Sequence, residues 1–117
     1  MTIRLEKRNG AYAECKFQCG IEFIVLLYAP DAPDKSYELY VLRSVDDIPD
    51  DLDDLDSGLM EYAYDTFKDN TRVDVFYYES YTSYKNKRWF DIWVEVYDRD
   101  DHYELDVSLR ESIIHDV

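Results

Sequence analysis

The sequence predicts an α+β fold: a mostly antiparallel β-sheet of about seven strands, one acidic amphipathic helix and a short C-terminal helix. Three observations carry this reading. Arg88–Asp98 (RWFDIWVEVYD) alternates strictly, with Phe90, Ile92, Val94 and Val96 on one side and Trp89, Asp91, Trp93, Glu95 and Tyr97 on the other. Ile21–Tyr28 (IEFIVLLY) is an almost unbroken apolar run, as expected of a strand covered on both faces. Ser44–Phe67 changes period: Leu52, Leu55 and Leu59, then Tyr62, Ala63, Thr66 and Phe67, fall on one helical face.

In chain order, Thr2–Arg8 alternates and is followed by Asn9–Gly10, a strong hairpin signal. Ala11–Cys19 alternates again, with Ala11, Ala13, Cys15, Phe17 and Cys19 on one side. After the apolar run, Ala29–Ser36 holds Pro30 and Pro33 and reads as a loop. Tyr37–Arg43 is the fourth strand. Pro49 suits a first helical turn, and aspartates near a helix N-terminus favour its dipole. Ser57–Gly58 divides the acidic stretch, so the expectation is one turn near 49–55 and a helix over about 57–68, ended by Asp69–Asn70. Arg72–Ser83 and Arg88–Asp98 are strands joined by Tyr84–Lys87. After the turn Asp98–Asp101, His102–Leu109 points Tyr103, Leu105, Val107 and Leu109 inward and Glu104 and Asp106 outward. Ser108 and Glu111 have capping-box spacing, which predicts the terminal helix over 109–115.

The 117 residues make one domain, 1–117, with 46% hydrophobic residues and enough aromatic bulk to build a core despite the charge. No run of 18 apolar residues exists and the N-terminus lacks an apolar signal-peptide core, so the expected compartment is the cytoplasm. Cys15 and Cys19 lie too far apart on one strand for a disulfide, and both are expected as small buried residues.

The charge is unevenly placed. Residues 1–43 carry six basic and six acidic residues; residues 44–117 carry seven and 21, which accounts for the whole net charge of −14. Such a surface repels nucleic acids and anionic membranes and opposes self-association, so direct nucleic-acid or membrane binding is not expected and a monomer is. A basic protein surface is its natural complement.

Catalysis finds little support. The only histidines, His102 and His115, sit near a turn and the chain end, and no nucleophile elbow, Walker A, zinc-helix or C-x-x-C motif is present. The Asp-rich stretch fails the EF-hand pattern: starting at Asp54 displaces the glycine, and starting at Asp51 puts Leu55 at a ligand position. No cofactor or metal is expected.

What remains is the carboxylates themselves. Asp46, Asp47, Asp50, Asp51, Asp53, Asp54, Asp56, Glu61 and Asp65 occur with no Lys or Arg between Arg43 and Lys68. Asp50, Asp54, Glu61 and Asp65 fall on the polar face of the expected helix, a row of roughly 22 Å at a rise of about 1.5 Å per residue. Asp91 and Glu95 share one strand face, and Glu104 and Asp106 share one face of the next, so pairing of these strands would add four carboxylates and Trp93. Duplex DNA carries one charge per about 1.7 Å of axis, so the spacing is comparable. On the residues DDIPDDLDDLDSGLMEYAYD (46–65) and the acidic positions of 91–106, the chain resembles the DNA-mimic proteins, most of all the small neisserial kind that binds the histone-like HU protein. The resemblance implies a non-enzymatic, cytoplasmic, monomeric protein that competes with DNA for an HU-like basic protein. An immunity-type or phage-type inhibitor of a nuclease, restriction or CRISPR effector, anchored by Trp93 or Tyr81, stays open, as does a small acidic enzyme with a carboxylate pair.

Overall fold

A computed structural model describes residues 1–29, 37–55, 62–68, 71–83 and 88–111, of which 62–68, 71–72, 79–83 and 88 are described by backbone alone. Eight strands form two antiparallel sheets. They are β1 (Thr2–Glu6), β2 (Tyr12–Lys16), β3 (Glu22–Tyr28), β4 (Glu38–Leu42), β5 (Tyr62–Lys68), β6 (Thr71–Ser83), β7 (Arg88–Asp98) and β8 (His102–Glu111). The larger sheet has the order β1-β8-β7-β6-β5, and the smaller β2-β3-β4.

The sheets pack face to face. Their inner faces supply one core: Phe23, Val25 and Leu27 of β3 and Leu39 and Val41 of β4 meet Phe76, Tyr78, Ile92, Val94, Val96, Leu105 and Val107 of the larger sheet. The phenol of Tyr78 donates to the backbone carbonyl of Leu39 at 2.6 Å, a direct polar tie between the layers. Burial pushes the Tyr78 hydroxyl well above the usual phenol range, so it stays a donor. The alternation read in β7 holds throughout: Phe90, Ile92, Val94 and Val96 are buried and their neighbours are less so. A bulge between Tyr78 and Tyr81 sets three steps of β6 against two of β7, where Ile92 and Phe90 are the partners.

The expected α+β class is corrected, because no α-helix occurs among the described residues. Within the acidic stretch, Val45–Asp47 and Leu52–Asp54 are single 3-10 turns. Tyr62–Lys68, expected to close the helix, is instead β5, an edge strand paired to β6 from Tyr62↔Tyr77 to Lys68↔Thr71. Two causes account for this. A spacing of three, as in Leu52 and Leu55, is met equally by one 3-10 turn. Asp side chains also bind local amides in competition with a helix: Asp51 accepts from the Asp53 amide at 3.0 Å, and Asp47 from the Ser44 amide at 3.2 Å. The β-forming YAYDTFK then gains more from a ladder with β6 than from a helical face. Residues 56–61, including Ser57–Gly58, lie outside the described residues, as do 69–70 and the loop at 30–36. The expected C-terminal helix is corrected at its start: Ser108–Glu111 belongs to β8, paired from Trp93↔Ser108 to Phe90↔Glu111, while residues 112–117 are outside the described set.

Asn9–Gly10 does not close a hairpin between β1 and β2. Strand β1 pairs with β8 and β2 with β3, so the turn carries the chain from one sheet to the other. Asn9 Oδ1 accepts from the Ala29 amide at 2.9 Å, and the Gly10 amide donates to the Leu27 carbonyl at 2.8 Å. Strand β2 ends at Lys16, and a turn at 17–21 leaves Cys19 exposed while Cys15 is buried; neither is in a disulfide. No helix among the described residues is long and apolar enough to cross a membrane.

Two outcomes follow from this frame. Gly10 has a φ of +87°, and a Cβ there would lie 3.2 Å from Leu52 Cδ1. Gly10→Ala should therefore lower stability by about 1–2 kcal/mol, the cost of left-handed backbone for an L-residue, read as a shifted urea midpoint; an unchanged midpoint would count against the geometry. Burial pushes the Cys15 thiol up to about 11. A thiol reagent at neutral pH should label Cys19 in the native protein and reach Cys15 only after denaturation.

Candidate functional site

The outer face of the smaller sheet carries an apolar patch of its own on β3 and β4. Ile24 and Leu26 of β3 and Tyr40 and Leu42 of β4 are buried there, and Tyr28, Ile48, Leu52 and Leu55 pack on them. Residues 44–55 are thus a cover laid across the sheet. The helical two-faced reading of 44–67 falls with the helix, but residues 44–55 have two sides of their own: Ile48, Leu52 and Leu55 pack on the sheet, and Asp46, Asp47, Asp50, Asp51, Asp53 and Asp54 are all exposed.

Neutral donors orient part of this display. Tyr28, set edge-on to Tyr40 with ring centres 6.0 Å apart, donates its hydroxyl to Asp53 Oδ1. Asp47 and Asp51 accept the backbone amides already described. Among the described residues none of the six aspartates has an ion pair. The cover therefore carries six charges without an ion-pair partner among the described residues.

The sheet carboxylates are placed elsewhere. Asp91 and Glu95 of β7 and Glu104 and Asp106 of β8 lie on the outer face of the larger sheet, with Glu95 directly opposite Asp106. The core of both sheets separates them from the cover, so the two groups do not form one surface. Much of the second group is compensated. Arg99 Nη2 lies 3.0 Å from Glu104, and the Met1 ammonium lies 3.8 Å from Asp106. Arg110 pairs in register with Asp91 and stands over the Trp93 ring at 5.9 Å. Tyr97 donates to Glu95 at 2.6 Å, with Arg99 above its ring at 5.4 Å. Trp93 packs against Tyr77 at a tilt of 47°, ring centres 4.6 Å apart, and is half-buried; the side chain of Tyr81 lies outside the described set.

Of the remaining positions, Asp65 falls in β5, in register with Asp74, on the larger sheet and not on the cover. Asp56 and Glu61 lie outside the described residues. The expected row Asp50, Asp54, Glu61 and Asp65 is corrected with the helix that was to carry it: Asp50 and Asp54 sit on the cover, and Asp65 belongs to an edge strand of the other sheet. No group of three or more His, Cys, Asp or Glu residues among the described ones could hold a metal ion. His102 Nδ1 lies 2.6 Å from Asp101 at the β7–β8 turn, and this contact holds the Asp101 carboxyl below its usual range.

No known protein family, no curated protein and no solved structure matches this chain.

Sequence reasoning missed the tyrosines. Phenol hydroxyls reach Asp53 (from Tyr28), Asp74 (Tyr37), Glu38 (Tyr40, 2.6 Å) and Glu95 (Tyr97). The signal was in the composition, 12 tyrosines against 13 basic residues for 27 carboxylates. A phenol holds a carboxylate in place and leaves its charge intact.

The hydrogen bond to Glu95, with burial adding to it, pushes the Tyr97 hydroxyl up to about 12 from an ordinary 10. Folding thus favours the protonated phenol. Its contribution to stability is complete below pH 10 and is lost as pH rises towards 12. Ultraviolet titration should show Tyr97 ionising late, and Tyr97→Phe should remove that step; ionisation of all tyrosines together near pH 10 would contradict the bond.

Proposed function

We propose that this protein is a DNA mimic: its acidic cover, residues 44–55, binds the DNA-binding surface of a basic protein, HU-like partners first, and competes with DNA for it. The observation that supports this most is the six exposed aspartates at 46–54, unpaired among the described residues and seated on an apolar floor. A flexible acidic tail would lose conformational entropy on binding; a cover pinned by Ile48, Leu52, Leu55 and the Tyr28–Asp53 bond has already lost it. On this reading the protein is a cytoplasmic monomer without enzymatic activity, cofactor or affinity for nucleic acid. The sheet carboxylates Asp91, Glu95, Glu104 and Asp106 are secondary, because nearby cations and Tyr97 already occupy much of that surface.

Exposed charge pairs contribute about 0–1 kcal/mol each, so affinity must come from many together. Replacing Asp46, Asp47, Asp50, Asp51, Asp53 and Asp54 by Asn should weaken binding to a purified HU-type protein some hundredfold in titration calorimetry. Neutralising Asp91, Glu95, Glu104 and Asp106, or Glu6, Glu14 and Glu22, should change it only a few-fold. Binding should fall steeply as the Debye length shrinks from about 10 Å at 0.1 M salt to about 3 Å at 1 M. Equal losses from all three sets would refute the cover as the binding face. Tight binding insensitive to salt would favour an inhibitor anchored by aromatic side chains.

A further inference from the structure

Few large apolar side chains are exposed among the described residues, and Tyr12 at 46% is the most exposed of them. It lies at one margin of the cover. Tyr12 stands directly opposite Leu26 on the β2–β3 ladder, and Leu26 belongs to the floor on which Leu52 packs. Side chains directly opposite in such a ladder have Cβ atoms about 5 Å apart. Leu52 also approaches Gly10, two residues before Tyr12, within 3.2 Å of where a Cβ would stand. Asp51 and Asp53 flank Leu52, so the tyrosine and the acidic display share one side of the smaller sheet. Unlike Tyr28, Tyr37, Tyr40 and Tyr97, which donate to carboxylates, Tyr12 makes no hydrogen bond, ring contact or ion contact among the described residues.

Building on the reading of the cover as the binding face, we propose that Tyr12 is the aromatic anchor of that surface and that it selects arginine over lysine in the basic partner. An arginine whose charge is drawn to the aspartates can lay its planar guanidinium on the Tyr12 ring while still donating to a carboxylate. A lysine ammonium is a compact, strongly hydrated charge that stacks less well. The occupant is a side chain of an arginine-rich basic protein surface. Charge complementarity with the cover brings it there, and the exposed ring gives it a face to rest on. DNA phosphates offer no aromatic face at such a position, so the anchor gives the protein a contact that its competitor lacks.

The test uses the full chain with two probes, an arginine homopolymer peptide and a lysine homopolymer peptide of equal length and hence equal charge. The wild type should bind the arginine peptide about fivefold more tightly. Tyr12→Ala should cut that preference to the remainder that bidentate guanidinium–carboxylate pairing gives without a ring, and Tyr12→Phe, which keeps the ring, should retain it in full. The slope of affinity against salt should stay unchanged in both, because neither alters the charge. Trp89→Ala, on β7 of the larger sheet where Trp89 is 37% exposed, should leave the preference intact. Thermal melting of each variant separates a packing defect from a lost contact. Equal affinity of the wild type for the two peptides, or a preference that Tyr12→Ala leaves undiminished, overturns the anchor and leaves the acidic cover standing. Failure of both peptides to respond to the six Asp→Asn substitutions overturns the cover, and the anchor with it.

Discussion

The constraint on which the structure depends is the apolar outer face of the three-stranded sheet. β3 is so uniformly hydrophobic that both of its faces need shelter. Phe23, Val25 and Leu27 find it against the larger sheet, and Ile24 and Leu26 find it beneath residues 48–55. Each partly buried Ile or Leu of the cover gains roughly 1 kcal/mol, about half the value of full burial. Repulsion between exposed aspartates costs only a few tenths of a kcal/mol per neighbouring pair at moderate salt. Ile48, Leu52 and Leu55 therefore hold down a segment that its own charge would lift away. The acidic surface exists because the floor needs a lid.

The two carboxylate-rich faces differ in how they treat charge. On the larger sheet, strands β1, β8 and β7 bring Arg99, Arg110 and the Met1 ammonium among Asp91, Glu95, Glu104 and Asp106, and the face is largely self-compensated. On the cover the donors are backbone amides and one phenol, which orient carboxylates and leave them negative. In a chain with about half as many basic as acidic residues, tyrosine takes over the positioning role that arginine has elsewhere, without cancelling the field.

A second polar cluster ties the layers at one end of the sandwich. Lys7, on the turn from β1 to β2, donates to Asp98 and to the Arg99 carbonyl at 2.5 Å, and stands 5.1 Å over the Tyr103 ring. Tyr103 stacks on Tyr37, whose hydroxyl donates to Asp74 of β6. Asp98 raises the Lys7 pKa above its ordinary 10.5, so this tie is intact at and above neutral pH until the ammonium itself is lost. With Tyr78–Leu39, it shows how this sandwich joins its sheets by phenols and one lysine as well as by apolar packing.

By itself the sequence determined the strands with strong alternation or unbroken apolarity, β3, β7 and the inward face of β8, because a period of two leaves little choice of face. It also determined that the acidic stretch has an apolar side and a charged side, since Leu52 and Leu55 stand out against aspartate in any local conformation. The tertiary structure decided which conformation that was. A spacing of three is shared by α-helix and 3-10 turn, and the packing of Ile48, Leu52 and Leu55 on Ile24, Leu26, Tyr40 and Leu42, together with the local Asp–amide bonds, goes with two short turns and not a rod. It decided the fate of Tyr62–Lys68, whose residues suit either period until β6 offers an open edge. It turned Asn9–Gly10 from a hairpin into a crossing between sheets, because β1 finds its partner in β8, about a hundred residues away along the chain. It also divided the carboxylates between opposite sides of the sandwich: sequence shows which residues share a strand face, whereas the packing of one sheet on another places those faces in space.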